Sequence, residues 1–261
     1  MKDSRYGKLK KTGDYYGKVF LSNCCGFYQI ILANDTEKMK AVFIQTNTEV
    51  TVTSTQVDNG TVFDRYFPTV CGVGYLGEYS TLDKDGNKTK EYATWRGMLD
   101  RCYGNKEIAA YKYCIVSEEF HNASYFKDWY NKQVGAHRED FQLDKDILSE
   151  DCKIYAEDTC VLVPSEINTF FAETGVRTHK TFKGSKYQTG VSWCKIRQKY
   201  RSRCNYGEDR IETYHDNEWS AFLAYKQAKE SRAKELAEKW RGQIDNRVYE
   251  KLINYKVLLT D

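Results

Sequence analysis

The chain has no run of about 18 apolar residues, the length a helix needs to cross a membrane. Its opening, MKDSRYGKLKK, also lacks the apolar stretch of a signal peptide. A soluble, intracellular protein without a membrane partner is therefore expected. No CxxC pair occurs among the nine cysteines, and the near neighbours (Cys24 with Cys25, Cys102 with Cys114, Cys152 with Cys160) lack zinc-ligand spacing. Zinc is not expected. An odd cysteine count in a long, highly charged chain does not suit a disulfide scaffold either, so free and mostly buried thiols are expected. Internal repeats and low-complexity segments are also missing. With 41% apolar and 15% aromatic residues the chain can bury several cores, which excludes disorder. At 261 residues it exceeds one average domain.

One further absence is local. Residues 177–207 hold nine basic residues and not one acid: Arg177, Lys180, Lys183, Lys186, Lys195, Arg197, Lys199, Arg201 and Arg203. His179 lies among them, and Tyr187, Trp193 and Tyr200 are interleaved. Elsewhere the charge is nearly balanced or acidic: residues 73–176 carry twelve basic and nineteen acidic residues. The net charge of +3 hides this asymmetry. A basic run without acids, broken by aromatics, marks a polyanion footprint.

Three segments follow from the periodicity. Residues 1–72 read as a small β-barrel of short strands: GKVFLS, GFYQIILAND, KMKAVFIQ, TEVTVTSTQV and, after the turn Asp58-Asn59-Gly60, TVFD. Apolar alternation at Val42 and Ile44, and at Val50 and Val52, gives the period of two. The glycine-rich CGVGYLG, from Cys71 to Gly77, breaks the pattern and leads into the next segment.

Residues 73–177 read as a mixed α+β domain. Tyr92, Trp95, Met98, Leu99 and Cys102 fall at helical spacing, as do Tyr125, Phe126, Trp129 and Tyr130. A strand FQLDKDIL, a polar loop to Tyr155, a strand CVLV and a helix opening at Pro164 and carrying Asn168 come next. Residues 178–261 read as three strands (GVSWCKI, KYRSRCN and one near RIETYH), packed on a long helix capped by Asp216 or Asn217, with a short helix over roughly 245–255. The fold class is α+β and multidomain.

Alternation along KYRSRCN puts Tyr200, Ser202 and Cys204 on one face and Lys199, Arg201, Arg203 and Asn205 on the other. A sheet with an outward face of this kind can enter the major groove, where Arg reads guanine and Lys holds phosphate. It lacks the paired aromatic platform that stacks single-stranded bases, so duplex DNA is favoured over RNA.

Residues 187–229 resemble the plant ethylene-response (Apetala-two) DNA-binding domain in Tyr187, Thr189-Gly190-Val191-Ser192-Trp193, Lys199-Tyr200, Ala221 and Ala224-Tyr225. DNA contacts are expected from Ser192, Trp193, Lys195, Arg197, Lys199, Arg201, Arg203, Asn205 and Arg210, and the resemblance carries the family's DNA-facing positions best to Ser192, Cys194, Arg201, Arg203 and Asn205. The Leu-Gly that usually ends the third strand of that domain is absent from RIETYH.

Asp144-Lys145-Asp146 on a strand, with Asn168 on a helix some residues later, resembles the HNH, or ββα-metal, nuclease finger. That resemblance implies a divalent ion, Mg2+ with Mn2+ as the substitute, held by Asp144 and Asn168. Lys145 stands where the family has its catalytic His. A base must be unprotonated near neutral pH. Free lysine has a pKa of about 10.4, so lowering it to about 7 would cost roughly 4 kcal/mol. Lys145 could steady the phosphate instead, leaving metal-bound water or His137 to supply the nucleophile. The order of segments along nearly the whole chain, including YATWRGMLDRCY and SEEFHNASYFKDWY, resembles phage HNH homing endonucleases with a C-terminal Apetala-two domain. It implies a metal-dependent duplex DNA endonuclease in the cytoplasm of an infected bacterial host, or a non-cleaving DNA-binding regulator or decoy derived from one.

Overall fold

The computed structural model describes residues 12–33, 38–106, 108–149, 153–172, 187–206 and 209–258. The elements, in order, are β1 (Val19–Ser22), β2 (Gly26–Ala33), β3 (Lys38–Phe43), β4 (Glu49–Thr53), α1 (Ser54–Asn59), α2 (Lys90–Tyr103), β5 (Ile115–Val116), α3 (Glu118–His121) and α4 (Ala123–Lys132). Then follow β6 (Phe141–Asp144), β7 (Ile154–Tyr155), β8 (Val161–Pro164), α5 (Ser165–Ala172), β9 (Val191–Cys194), β10 (Lys199–Tyr206), β11 (Asp209–His215), α6 (Glu218–Lys239) and α7 (Asn246–Ile253). The class is mixed α+β, as expected. The chain divides into two compact units, Met1–Ile108 with Val116–Asp128, and Ala109–Ile115 with Trp129–Asp261. No helix among the described residues is long and apolar enough to cross a membrane.

In the first unit β1 to β4 form an antiparallel sheet in sequence order. Its buried face is Phe20, Tyr28, Ile30, Met39, Ala41, Phe43 and Val52. The expected phase of β3 is corrected: Met39, Ala41 and Phe43 point inward, while Val42 is half-buried and Ile44 is exposed. Met and Ala carry the period as well as Val does, and apolar character alone did not fix the face. TEVTVTSTQV is not one strand either. Thr53 and Gln56 form a reciprocal capping box that starts α1, and Gly60, at φ 66°, ends it. TVFD is irregular backbone; Ser22 Oγ donates to Val62 O at 2.7 Å and ties it to the sheet.

Helix α2 buries Tyr92, Trp95, Met98 and Leu99 as its spacing predicts, and Trp95 Nε1 donates to Phe120 O at 2.7 Å. The glycine-rich segment lies against this helix. A Cβ on Gly74 would stand 2.4 Å from Leu99, so only glycine permits the approach.

In the second unit β6 pairs antiparallel with β8 (Leu143↔Leu162, Asp144↔Val161), and α5 follows directly. FQLDKDIL ends as a strand at Asp144, because Asp144 Oδ1 accepts from the backbone N–H groups of Asp146 (2.9 Å) and Ile147 (2.8 Å) and turns the chain aside. Pro164 closes β8 and does not open the helix; at a strand end its missing N–H is harmless. β9, β10 and β11 form the antiparallel sheet, ordered β11-β10-β9, that α6 covers. Val191, Cys204, Ala221, Phe222 and Tyr225 are its core. Asn217 caps α6 by accepting from Ser220 N at 2.8 Å.

Of the nine cysteines, eight are described and all eight are free. Cys25, Cys114, Cys160 and Cys204 are buried, and burial pushes the Cys160 thiol up to about 12. Cys152 lies outside the described residues.

Candidate nucleic-acid interface

The register fixes which side chains share the outer face of the C-terminal sheet. Arg201 stands across from Ser192 and Tyr214, Arg203 from Glu212, and Asn205 from Arg210. Cross-strand partners point the same way. Ser202 and Cys204 are buried against α6, so Arg201, Arg203 and Asn205 face outward, as alternation predicts.

This face is held together by its own polar contacts. Arg201 Nε donates to Ser192 Oγ at 3.1 Å. Arg203 binds Glu212 Oε2 at 3.3 Å through both Nε and Nη2, Arg210 reaches the same oxygen at 3.9 Å, and Tyr214 donates its hydroxyl to Glu212 Oε1. The Tyr214 hydroxyl and Arg203 hold the Glu212 carboxyl below its ordinary value, with Arg201 adding charge. Between β9 and β10, Lys195 to Gln198 form an exposed turn whose last residue sits in the left-handed region at φ 51°. Arg197 leaves that turn to lie over the Tyr214 ring at 4.3 Å. Lys199 pairs with Asp216 at 3.0 Å.

Of the residues named for DNA contact, Ser192, Lys199, Arg201, Arg203, Asn205 and Arg210 are thus brought to one face, with Lys195 and Arg197 on the adjoining turn. Trp193 is not with them. It stands opposite Tyr200, ring centroids 4.9 Å apart, on the side that faces α6. Glu212 and Tyr214 were missed, although alternation in RIETYH signals both, at two and four residues beyond Arg210. Arg177, His179, Lys180, Lys183 and Lys186 lie outside the described residues.

The second candidate group is the β6–β8–α5 finger. Asp144 and Lys145 are both buried, at 6% and 4% exposure. The Lys145 ammonium pairs with Asp146 and lies 5.7 Å from the centre of the Tyr155 ring. Burial alone would lower the Lys145 pKa, but the hydrogen bond and charge of Asp146 outweigh it and the net direction is upward. A lysine so held keeps its proton at neutral pH. Asn168, on α5, donates to Gln142 Oε1 at 2.7 Å, two residues before Asp144 on β6. His137 is exposed in the turn after α4.

Among the described residues no three His, Cys, Asp or Glu side chains gather as a metal cluster. Mg2+ does not need one: it takes hard oxygens, keeps several waters and completes its shell with substrate phosphate. The donor types at Asp144 and Asn168, a carboxylate and an amide oxygen, are the hard oxygens that Mg2+ takes. Comparison with protein-family models, with curated proteins and with solved structures finds no match to this chain, so the meaning of both sites rests on their own chemistry.

Proposed function

We propose that this protein binds duplex DNA through the outward face of the β9–β11 sheet and cleaves it as a phage-type endonuclease of the HNH homing class. The observation that carries the binding half is the alignment of Lys199, Arg201, Arg203, Asn205 and Arg210 on one face, beside the Lys195–Arg197 turn. Strands can enter the major groove, where outward side chains such as these reach base edges and phosphates. The N-terminal four-stranded sheet takes the place of the small barrel in this reading, and the setting is the cytoplasm of an infected bacterial host.

For cleavage, Asp144 and Asn168 would hold Mg2+ (or Mn2+), which supplies Lewis-acid stabilisation of the scissile phosphate and the leaving oxygen. The chain's own residues do the rest: the sheet binds and orients the duplex, and Asp144 keeps the turn after β6 in place. A second reading, binding without cleavage, is favoured by Lys145, which is buried, paired with Asp146 and protonated. Such a lysine cannot act as the base, so in an active enzyme His137 would take the proton of the attacking water, or the ion held by Asp144 and Asn168 would supply that activation.

The test uses the whole chain, because α6 packs on the finger as well as on the sheet. Mobility shifts on duplex DNA should weaken steeply with salt. Arg201→Ala and Arg203→Ala should each weaken binding by about 1–3 kcal/mol. Lys226→Ala should leave it nearly unchanged, since Lys226 lies on α6 and is engaged by Glu230 (2.7 Å) and Val257 O (2.5 Å). Equal losses from all three would sink the interface. Incubation with phage, host and plasmid DNA in Mg2+, Mn2+ or EDTA then decides between cutting and binding alone.

A further inference from the structure

Glu212 is the outward-facing residue that a polyanion grip does not explain. Among the described residues of the three strands it is the one carboxylate on that face, and it sits centrally, with Arg203 across from it and Arg210 and Tyr214 beside it on its own strand. A carboxylate repels phosphate. It serves a DNA-binding face where it meets a hydrogen-bond donor, and in the major groove the donors are the amines of cytosine and adenine. Adenine presents N7 beside its amine, an acceptor that a carboxylate cannot satisfy. Cytosine presents the amine alone.

Resting on the reading that this face meets duplex DNA, we propose that Glu212 is a base-reading residue whose carboxylate accepts from the N4 amine of cytosine, while Arg203 beside it reads a guanine. Three contacts prepare Glu212 for this. Tyr214 fixes one oxygen, Arg203 and Arg210 crowd the other, and together they keep the group ionised at neutral pH. The same cations offset the repulsion that the carboxylate brings to the phosphates. Arg203, anchored by Glu212, is pre-set in place and loses less freedom on binding. The sheet thereby selects sequence instead of gripping any duplex.

The experiment is selection of a random-sequence duplex pool by the full-length protein, followed by affinity measurements on the enriched site. Wild type should enrich a site with one cytosine whose replacement weakens binding roughly 5- to 150-fold. In Glu212→Gln that one position should change to adenine, which Gln matches with both a donor and an acceptor, while the other positions persist. Affinity for bulk competitor DNA should rise. Glu212→Asp keeps the charge and should keep the cytosine, so it carries the test if the Gln variant fails to melt cooperatively. An unchanged site in Glu212→Gln, with tighter binding to every sequence, would overturn the inference and make Glu212 a simple charge brake. Binding of wild type without any enrichment would also overturn it, leaving duplex binding intact. Failure of wild type to bind any duplex would instead overturn the reading on which it rests.

Discussion

Trp240 donates its indole Nε1 hydrogen bond to Oε1 of Glu166 at 2.5 Å, joining the residue that caps α6 to the first turn of α5. Arg232 (3.4 Å) and Lys239 (2.5 Å) pair with the same carboxylate. Beside it the Arg138 guanidinium lies 5.0 Å from the Phe141 ring and 4.9 Å from that of Trp240. Helix α6 therefore supports two things at once, the sheet on its N-terminal half and the β6–β8–α5 finger on its C-terminal half. Periodicity divides these parts between residues 177 and 178; side chains from α5, β6 and α6 join them within one compact unit.

Removing Glu166 tests that joint. Glu166→Ala leaves the nearly buried indole N–H and the mostly buried Arg232 without this acceptor, and should destabilise the second unit by about 2–3 kcal/mol. Trp240→Phe keeps ring contact and loses only the N–H, so about 1 kcal/mol is expected. Urea denaturation of the full chain, followed by tryptophan fluorescence for the first variant and far-ultraviolet dichroism for both, measures each. Equal stability of Glu166→Ala and wild type would show that the contact is decorative.

The pH dependence of Lys145 has a defined sign. Its pKa is raised in the folded state, so its contribution to stability is complete below the ordinary lysine pKa of about 10.4 and disappears as pH climbs through the folded value. Lys145→Met, which leaves Asp146 partly buried without its ammonium, should cost about 2 kcal/mol at pH 7. The gap between wild type and variant should narrow above about pH 10.4. A gap that is constant from pH 7 to pH 11 would mean that packing, not charge, is what the variant loses.

Two glycines separate backbone strain from collision. Gly190, at φ 75°, precedes β9, and a Cβ there would fall 2.2 Å from Cδ2 of the buried Tyr225. Gly242 has a similar φ of 71° with open space around it. Gly242→Ala should cost about 1–2 kcal/mol, the left-handed penalty alone, and Gly190→Ala about 1–3 kcal/mol more from forcing Tyr225 aside. Thermal melts give the difference, and duplex affinity should fall only for Gly190→Ala. Matching losses in the two variants would mean that Tyr225 moves freely.

Much of this was legible in the chain. The faces of α2 and β10 follow from spacing, because one buried face imposes one period, and Tyr92, Trp95 and Met98, like Ser202 and Cys204, obey it. Strand boundaries were less legible. Thr53-Ser54-Thr55-Gln56 reads as strand by residue type, yet a cap formed by two side chains turns it into helix. Trp193 is expected among the DNA contacts from its place on the first strand of the sheet, while the register sets it across from Tyr200, on the side of α6. The joint at Glu166 joins residues more than sixty positions apart, and no local pattern announces such a contact.

Asp144 must be tested by a change that spares its structural duty. Its Oδ1 accepts from two backbone N–H groups, so Asp144→Ala would loosen the turn after β6, at about 1–3 kcal/mol, whatever its role in chemistry. Asp144→Asn retains an oxygen for that turn and removes the charge. If Asp144 holds a divalent ion, Asp144→Asn should melt within about 1 kcal/mol of wild type, bind duplex DNA as tightly, and lose cleavage in Mg2+. Groups that merely support metal ligands are worth about 10- to 100-fold, so loss of a ligand carboxylate should exceed about 100-fold. Lys145→His completes the set, because a neutral imidazole can take a proton near pH 7 without a large shift. Gain of nicking in Lys145→His over an inert wild type would identify a lapsed nuclease. Wild-type cleavage that survives Asp144→Asn would remove Asp144 from the metal site. A wild type that binds one duplex tightly, yet cuts nothing in Mg2+ or Mn2+, with Lys145→His equally inert, would leave a regulator and no enzyme.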